Sequence, residues 1–217
     1  MKHIFYAIAC ILALASCGQS PTKPTAPTQP DYFPLQVGNW WEYKANSFDS
    51  TYFHRWKIIG DTTINGKQYF KLNMQDLQLP TDTTITSFLI IKDASGNMRW
   101  YSNSIFGEKV DMDSKSQWIF NFNKPIGEDW ISNPPGKQDY YNHLQHSGIY
   151  SKSDTTTVPA GTFSPNCVIK TESIGNTDYL VFATNVGLVK VSPNVGYTTL
   201  TNGSYLTRAY VNGKSYP

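Results

Sequence analysis

The sequence lacks an excess of charge of either sign. Its 217 residues include 18 Lys and Arg and 16 Asp and Glu, which gives a formal net charge of +2 at pH 7. Proteins that bind nucleic acid neutralise its phosphates with clustered Lys and Arg, whereas the basic residues here are scattered along the chain. The composition therefore predicts that nucleic acid is not a partner.

Cysteine is also scarce, because Cys10, Cys17 and Cys167 are the only ones in the chain. A disulfide framework needs cysteines that can pair, and Cys10 and Cys17 both lie in the amino-terminal segment before the main domain. Cys167 is then left without a partner. In an exported protein a lone thiol is safest when it is buried, so we expect Cys167 in the core.

No apolar run is long enough to span a bilayer. The run from Ile4 to Leu14 has 11 residues without a charge, whereas a membrane span takes about 20. Lys2 and His3 precede it, and small residues follow it. A positive start, a short apolar run and small residues are the parts of a secretory signal. Residues 1–16 are therefore predicted to be a signal peptide that is removed on export.

The stretch Leu14–Cys17, Leu-Ala-Ser-Cys, resembles the box of bacterial lipoproteins. In that family the peptidase cuts before the cysteine, whose sulfur carries diacylglycerol and whose new amino group takes an acyl chain such as palmitate. The resemblance implies that Cys17 is lipidated and that a membrane is a partner, since two or more acyl chains anchor a protein stably. The alternative is an ordinary secretory signal cut near Ala15, which would leave Cys17 as a free thiol.

The residues after Cys17 indicate which membrane holds the protein and how far the tether extends. In well-studied Gram-negative lipoproteins an Asp after the cysteine retains the protein in the inner membrane, so Gly18 and Gln19 imply the outer membrane by resemblance. Whether the domain faces the periplasm or the outside stays open. Residues 17–30 carry a proline at every third position from Pro21 to Pro30. Because proline fixes φ and lacks an N–H donor, we expect a semi-rigid tether that reaches up to ~40 Å.

Residues 31–217 are predicted to form one antiparallel β domain. Aromatic residues make up 14% of the chain, and apolar residues alternate rather than recur at helical spacing. Three Asn-Gly pairs indicate tight hairpin turns; they are Asn65-Gly66, Asn202-Gly203 and Asn212-Gly213. We therefore expect an all-β fold, a single antiparallel meander curled into a half-open or closed barrel with little or no helix. Whether its interior is packed or hollow stays open.

Three blocks carry a resemblance to a family. They are YFPLQVGNWWEY at 32–43, VPAGTF at 158–163 and NVGLVK at 185–190. They resemble the recurrent blocks of uncharacterised bacterial secreted proteins and lipoproteins, and are more remotely similar to half-barrel proteins related to lipoprotein-localisation factors. That remote similarity implies a lipid or other hydrophobic ligand. Asn185 departs from the pattern, where Gly is common, and no residue can be carried over as catalytic.

The same blocks predict packing roles. Pro159 is expected to end a strand, and Gly161 to allow a sharp reversal that returns Phe163 to the core. Gly187 is expected where two parts of the chain approach closely. Trp41 and Tyr43 should share the inner face of the first strand and leave Trp40 on the other face. Trp40 or Trp100 could contact a ligand, against simple core or rim packing.

The candidate catalytic and metal-binding residues form weak patterns. His143 and His146 could bind zinc with Asp139 on a helix, but on a strand they would face opposite ways. His54 is either a general base or a histidine of the core or rim. The segments 111–116 and Glu128-Asp129 are either a calcium loop and a carboxylate pair, or solvated turns. The sequence contains no G-x-S-x-G elbow and no phosphate-binding loop.

Three functions from different classes follow. The first is a non-enzymatic envelope lipoprotein whose curled sheet carries or senses a hydrophobic small molecule. The second is a structural module whose exposed sheet docks another envelope protein. The third, and the least favoured, is a hydrolase that uses His54, His143 or His146. We expect no catalytic residue and no cofactor.

Overall fold

The computed structural model describes residues 30–47, 50–79, 84–93, 96–102, 116–132, 146–173, 176–195 and 203–217. These residues form strands and turns and contain no helix. Among them, therefore, no helix is long and apolar enough to cross a membrane. Cys17, the signal segment and the proline-rich tether lie outside the described residues.

Thirteen strands make up the fold. Their bounds are β1 (Trp40–Ser47), β2 (Ser50–Ile64), β3 (Lys67–Asp76), β4 (Thr84–Lys92), β5 (Met98–Ser102), β6 (Ser116–Phe120), β7 (Asp129–Ile131), β8 (His146–Val158), β9 (Gly161–Ser173), β10 (Asn176–Ala183), β11 (Gly187–Val195), β12 (Ser204–Val211) and β13 (Lys214–Tyr216).

All thirteen strands belong to one antiparallel sheet. Its order is β6-β5-β4-β3-β2-β1-β12-β11-β10-β9-β8-β7, and β13 pairs with β12 beside this path. The first strand therefore pairs with the penultimate one, and the two edge strands, β6 and β7, are neighbours in sequence. The sheet curls into a barrel that is nearly closed, with one unsealed seam between β6 and β7. The predicted all-β antiparallel architecture is confirmed.

Two hydrogen bonds cross the seam among the described residues. The backbone N–H of Ile119 donates to the carbonyl of Ser132 at 2.9 Å. The indole Nε1 of Trp130 donates to the carbonyl of Ile119, also at 2.9 Å. No ladder of backbone pairs joins β6 to β7 in the described part of the chain. The barrel is thus held at the seam by isolated contacts rather than by a continuous sheet.

Two of the three predicted Asn-Gly turns lie at their predicted positions. Asn65 and Asn212 have φ of 51° and 52°, and the glycines that follow them are also left-handed, as tight hairpins require. Strand β8 ends at Val158, directly before Pro159, and β9 begins at Gly161 with φ of 130°. The Asn202-Gly203 turn lies partly outside the described residues.

The segment Asp31–Leu35 closes one end of the barrel, which we call the plugged end. Phe33 is fully buried and its ring lies 5.0 Å from that of Trp41. The Nζ of Lys92 ties the segment to β4 by donating to Asp31 at 2.5 Å and to the carbonyl of Phe33 at 2.8 Å. The plug is therefore held both by ring packing and by a lysine that bonds two points of the segment.

Gly187 shows why one position in the NVGLVK block requires glycine. Its φ is 114°, and an added Cβ would lie 3.0 Å from Nε1 of Trp41. That same nitrogen donates to the carbonyl of Val186 at 2.6 Å. The Trp41 indole can lie flat on the start of β11 only because no side chain stands there. The predicted close approach at Gly187 is confirmed.

Candidate functional site

Inward-facing side chains become more exposed toward the end of the barrel opposite the plug, which we call the open end. Along the inner face of β2, Ile58 is fully buried, Trp56 and His54 are half-buried, and Tyr52 is 46% exposed. Strands β3, β4, β10 and β11 follow the same trend. We call the half-buried inward side chains near the open end the cup; they are His54, Trp56, Met74, Asp76, Thr86, Phe88, Asp178, Leu180 and Val191.

Aromatic rings form the wall and floor of the cup. His54 stacks on the buried ring of Tyr43 at a centroid distance of 5.4 Å, and Trp56 lies 5.1 Å from the same ring. The Trp56 and Trp100 indoles meet edge to face at 5.2 Å, and Phe88 lies 5.5 Å from Trp100. These rings continue into the packed core at the plugged end. The interior is thus filled at one end and accessible at the other.

Two polar atoms in this aromatic wall lack hydrogen-bond partners. The Nε1 atoms of Trp56 and Trp100 are buried, and neither makes a hydrogen bond. Trp100 as a whole is only 7% exposed. Buried indole N–H groups in proteins usually have an acceptor. Two neighbouring donors without one are what a site for an acceptor-bearing ligand would present.

His54 favours its neutral form in the cup. Burial lowers the pKa of the imidazole, and the carboxylate of Asp76, its cross-strand neighbour, opposes part of this shift. Asp76 is occupied elsewhere, since its Oδ1 accepts a hydrogen bond from the backbone N–H of Gln78 at 2.8 Å. Tyr43 is also engaged, because its hydroxyl donates to the carbonyl of Leu188 at 2.8 Å. His54 makes no hydrogen bond to a Ser, Thr or Cys side chain among the described residues.

The opposite wall of the cup carries a second carboxylate. Asp178 faces inward from β10, and partial burial raises the pKa of its carboxyl group. It has no hydrogen-bond or ion-pair partner in the described part of the chain. Its inward neighbour Thr171 is buried and hydrogen-bonds the hydroxyl of Ser147 at 3.0 Å. Asp76 and Asp178 together make the rim of the cup acidic, which disfavours an anionic ligand.

The cup therefore has an apolar wall and an acidic rim, and the two indole N–H groups without partners are buried behind that wall. This combination suits a neutral, largely apolar molecule with one hydrogen-bond acceptor. No group of three His, Cys, Asp or Glu that could hold a metal ion exists among the described residues.

Trp40 lies away from the cup. It faces outward from β1, where the guanidinium of Arg55 lies 5.4 Å from the ring centroid. Trp41 and Tyr43 take the inner face, as the alternation predicts. Of Trp40 and Trp100, the two tryptophans predicted as possible ligand contacts, only Trp100 lies in the interior of the barrel.

His146 and Asp129 lie on the neighbouring strands β8 and β7. They line a small cleft of about 210 Å³ on the outside of β7, β8 and β9, together with Glu172 and Lys170. His146 lies on a strand and is exposed. Lys170 and Glu172 form an ion pair there, and the hydrogen bond that Lys170 donates to Glu172 raises the pKa of the lysine. The described residues do not include His143, Asp139 or the segment 111–115. This cleft therefore gives no support to the zinc or the calcium interpretation.

A larger cleft of about 650 Å³ lies beside the plug at the ends of β3, β4 and β5. Its lining includes Asp31 and Lys92, which pair with each other. Asp93 also lines it and accepts hydrogen bonds from both the backbone and the side chain of Asn97. Much of the polar lining of this cleft thus forms ion pairs or hydrogen bonds that hold the plug or the β4–β5 turn. Its position, where the chain enters the fold, marks the exit point of the predicted tether.

Two solved structures are similar to this chain in fold. One is described as a "putative lipoprotein" from Parabacteroides distasonis; it is 15% identical, with 83% of this chain and 99% of that chain covered, and a TM-score of 0.47. The other is a "putative exported protein with YmcC-like fold" from Bacteroides fragilis; it is 14% identical, with 84% and 100% covered, and a TM-score of 0.47.

No protein-family model matches the sequence, and no curated protein matches it. What the protein does must therefore be argued from its own residues.

Sequence reasoning missed Trp56, Asp76 and Asp178 as parts of a site. The alternation does place Trp56 and His54 on one face of β2, so that pair could have been found. In NTDYLVF, Asp178 alternates with Leu180 and Phe182, and a carboxylate at an inward position is a signal of a polar rim. That β2 and β10 face each other across one opening could not be read from local patterns.

Proposed function

We propose that the protein is an envelope lipoprotein, anchored to the outer membrane through Cys17, that holds a small hydrophobic molecule in the cup. The molecule is neutral, with an apolar body and one acceptor such as a hydroxyl or ester oxygen. The role is non-catalytic: the protein carries or senses its ligand. The expectation from the lipobox supports the anchor, and the geometry of the barrel supports the binding.

The unpartnered Nε1 atoms of Trp56 and Trp100 carry this proposal. Leaving a buried donor without a partner costs about 1–3 kcal/mol, and two such donors stand side by side. Because both atoms are closed to solvent, a ligand acceptor reaches them only when neighbouring side chains shift, and it then recovers part of that cost. The half-buried apolar side chains around them would at the same time lose their contact with water.

Native mass spectrometry of the chain purified from its membrane tests the binding. We expect a bound mass that solvent extraction removes and that separates as a neutral lipid-like compound. The same chain after extraction should take up 1-dodecanol, which displaces an apolar fluorescent reporter from the cup. A chain that carries no ligand and takes up no alcohol would overturn the proposal.

Substitution of the two indoles tests the role of the donors. Trp56→Phe with Trp100→Phe keeps the aromatic wall but removes both N–H groups. We expect 1-dodecanol to bind about 3- to 10-fold more weakly, as the loss of a typical hydrogen bond predicts, while dodecane, which has no acceptor, binds unchanged. Trp40→Phe, on the outer face of the barrel, is the matched control and should alter neither. Equal losses for alcohol and alkane would assign the indoles to packing alone.

A further inference from the structure

The outside of the barrel carries a concentration of positive charge on β2, β1, β12 and β11. Five basic side chains point outward there by strand register: Arg55 and Lys57 on β2, Lys44 on β1, Arg208 on β12 and Lys190 on β11. Arg208 has 61% of its side chain exposed. We call this set, with the aromatic residues between its members, the basic-aromatic face.

Aromatic rings alternate with the cations on this face. Trp40 lies between Lys57 and Tyr210 in the cross-strand register, and Tyr205 lies between Lys44 and Lys190. The Nζ of Lys190 is 5.6 Å from the Tyr205 ring centroid. Trp40 and Tyr205 thus each have a cation near the ring, Arg55 and Lys190 respectively.

Glu42 is the one carboxylate of the face among the described residues, and it is buried. Its side chain is only 5% exposed. One oxygen accepts hydrogen bonds from Arg55 at 2.9 and 2.5 Å, and the other accepts one from Nε of Arg208 at 2.8 Å. The two guanidinium groups are therefore held in place, while Glu42 is screened from any approaching partner.

The charge of this face contrasts with the rest of the chain. Five cations and one carboxylate give the face a net charge of +4, whereas the entire chain carries only +2. The remainder is therefore net negative. The positive charge is gathered on one wall of the barrel, opposite the seam. A wall of this kind attracts an extended negative surface.

We propose that the basic-aromatic face lies against an anionic lipid bilayer. Four strands spaced ~4.8 Å apart and five residues along β1 give the face roughly 200 Å². This is a projected backbone area, and it is small beside a specific protein interface, which buries ~800 Å² of accessible surface per partner. Attraction to anionic headgroups instead grows with each basic residue, and Trp and Tyr are the aromatic residues that favour the lipid headgroup region.

The position of the plug supports a bilayer as the partner. Residue 30 enters the fold at the plugged end, and the row formed by Tyr210, Trp40 and Lys57 is the part of the face nearest that end. Asn39, next to Trp40, donates to the carbonyl of Pro34 in the plug segment at 3.1 Å. A tether attached there keeps this face close to the membrane that holds the anchor. The inference concerns the outer wall and does not depend on a ligand in the cup.

Vesicle sedimentation of residues 18–217 tests the proposal, because this chain includes every described residue but neither the apolar leader nor Cys17. We expect binding to vesicles of phosphatidylglycerol and phosphatidylcholine, little binding to phosphatidylcholine alone, and release by high salt. The triple variant Lys44→Gln, Lys57→Gln, Lys190→Gln should bind roughly a hundredfold more weakly, at about fivefold per lysine.

A charge-matched variant on the opposite wall is the control. Lys124→Gln, Lys152→Gln, Lys170→Gln removes the same charge and should bind less than about threefold more weakly than the parent, since distant charges are screened. Equal losses in both triple variants would overturn the proposal, as would equal binding to neutral and anionic vesicles. A chain that ignores vesicles but binds polyglutamate through the same three lysines would assign the face to an acidic polypeptide instead. Release of the parent chain from anionic vesicles by high salt tests the electrostatic attraction without any variant.

Discussion

Cys167 and Asp178 lie on neighbouring strands of the same interior and respond to burial in the same direction. Cys167 is fully buried, and burial raises the pKa of its thiol to about 12. It therefore stays protonated and unreactive at neutral pH, as the expectation of a buried lone cysteine requires. Partial burial also raises the pKa of the Asp178 carboxyl, because burial disfavours its charged form. Burial therefore leaves the neutral thiol undisturbed, whereas it makes the charged form of the Asp178 carboxyl unfavourable.

Asp178→Asn is expected to stabilise the fold at pH 7. The folded-state pKa lies above the unfolded value, so the folded state binds the proton more tightly and loses stability as pH rises through the window between the two values. Removing the charge should recover this loss, by less than about 1 kcal/mol because the side chain is partly hydrated.

Urea unfolding at pH 7 and at pH 3 measures this effect. At the lower pH both the folded and unfolded parent are largely protonated at this site, so the difference between parent and variant should shrink. Asp154→Asn, on the exposed part of β8, is the control and should not stabilise the protein. A variant that is less stable than the parent at pH 7 would show that Asp178 has a favourable partner.

The segment Asp31–Leu35 is not a strand, yet it completes the core. Phe33 contacts rings from three parts of the sheet: Trp41 on β1 at 5.0 Å, Trp100 on β5 at 5.8 Å and Phe182 on β10 at 6.5 Å. These strands lie far apart in the order of the sheet. One side chain of the plug therefore ties opposite walls of the barrel together.

Phe33→Ala is expected to lower the free energy of unfolding by about 3–5 kcal/mol, the range for a fully buried phenylalanine. The reason is the loss of its ring contacts together with the cavity that remains. Val37→Ala, two residues after the plug segment and 49% exposed, should cost less than about 0.5 kcal/mol. Urea unfolding followed by tryptophan fluorescence compares the two. Similar midpoints for both variants would mean that the plug does not belong to the cooperative core.

At the scale of the whole molecule, the barrel has two different ends and two different walls. One end is plugged where the chain enters, and the other exposes the cup. The basic-aromatic wall lies opposite the seam. If the tether holds the plugged end near a bilayer, the cup opens away from it or along it. The molecule would then present its ligand site to the surrounding compartment rather than to its own membrane.

Cys17→Ser tests the anchor on which this orientation depends. We expect the parent to stay with the outer membrane during a high-salt wash and the variant to move to the soluble fraction, because the acyl chains supply most of the membrane affinity and salt weakens the attraction of the basic-aromatic face. Cys167→Ala is the matched control; it changes the other cysteine of the mature chain and should remain membrane-bound. A Cys17→Ser chain that still sediments with membranes in high salt, which releases binding through the basic-aromatic face, would contradict the lipoprotein interpretation.

Local patterns predicted the strands, several turns and the inner face of β1 correctly. Alternation is enough to place Trp41 and Tyr43 inward and Trp40 outward, because successive side chains of a strand must point to opposite faces. Gly187 was also foreseeable, since an added side chain is excluded where a large ring packs on the backbone. The plug and the cup were not foreseeable. The ring of Phe33 finds its partners on β1, β5 and β10, and no local pattern states that these strands meet.

The sequence by itself determined that the domain is a set of antiparallel strands joined by hairpins, with a lone cysteine suited to burial. Those features depend on a period of two and on residues that accept left-handed turns, which act over a few positions. Only the tertiary structure decided that Glu42 meets Arg208, 166 residues away, and that the barrel is filled at one end and accessible at the other. Such contacts depend on closure of the sheet, which the chain reaches only when distant strands pair.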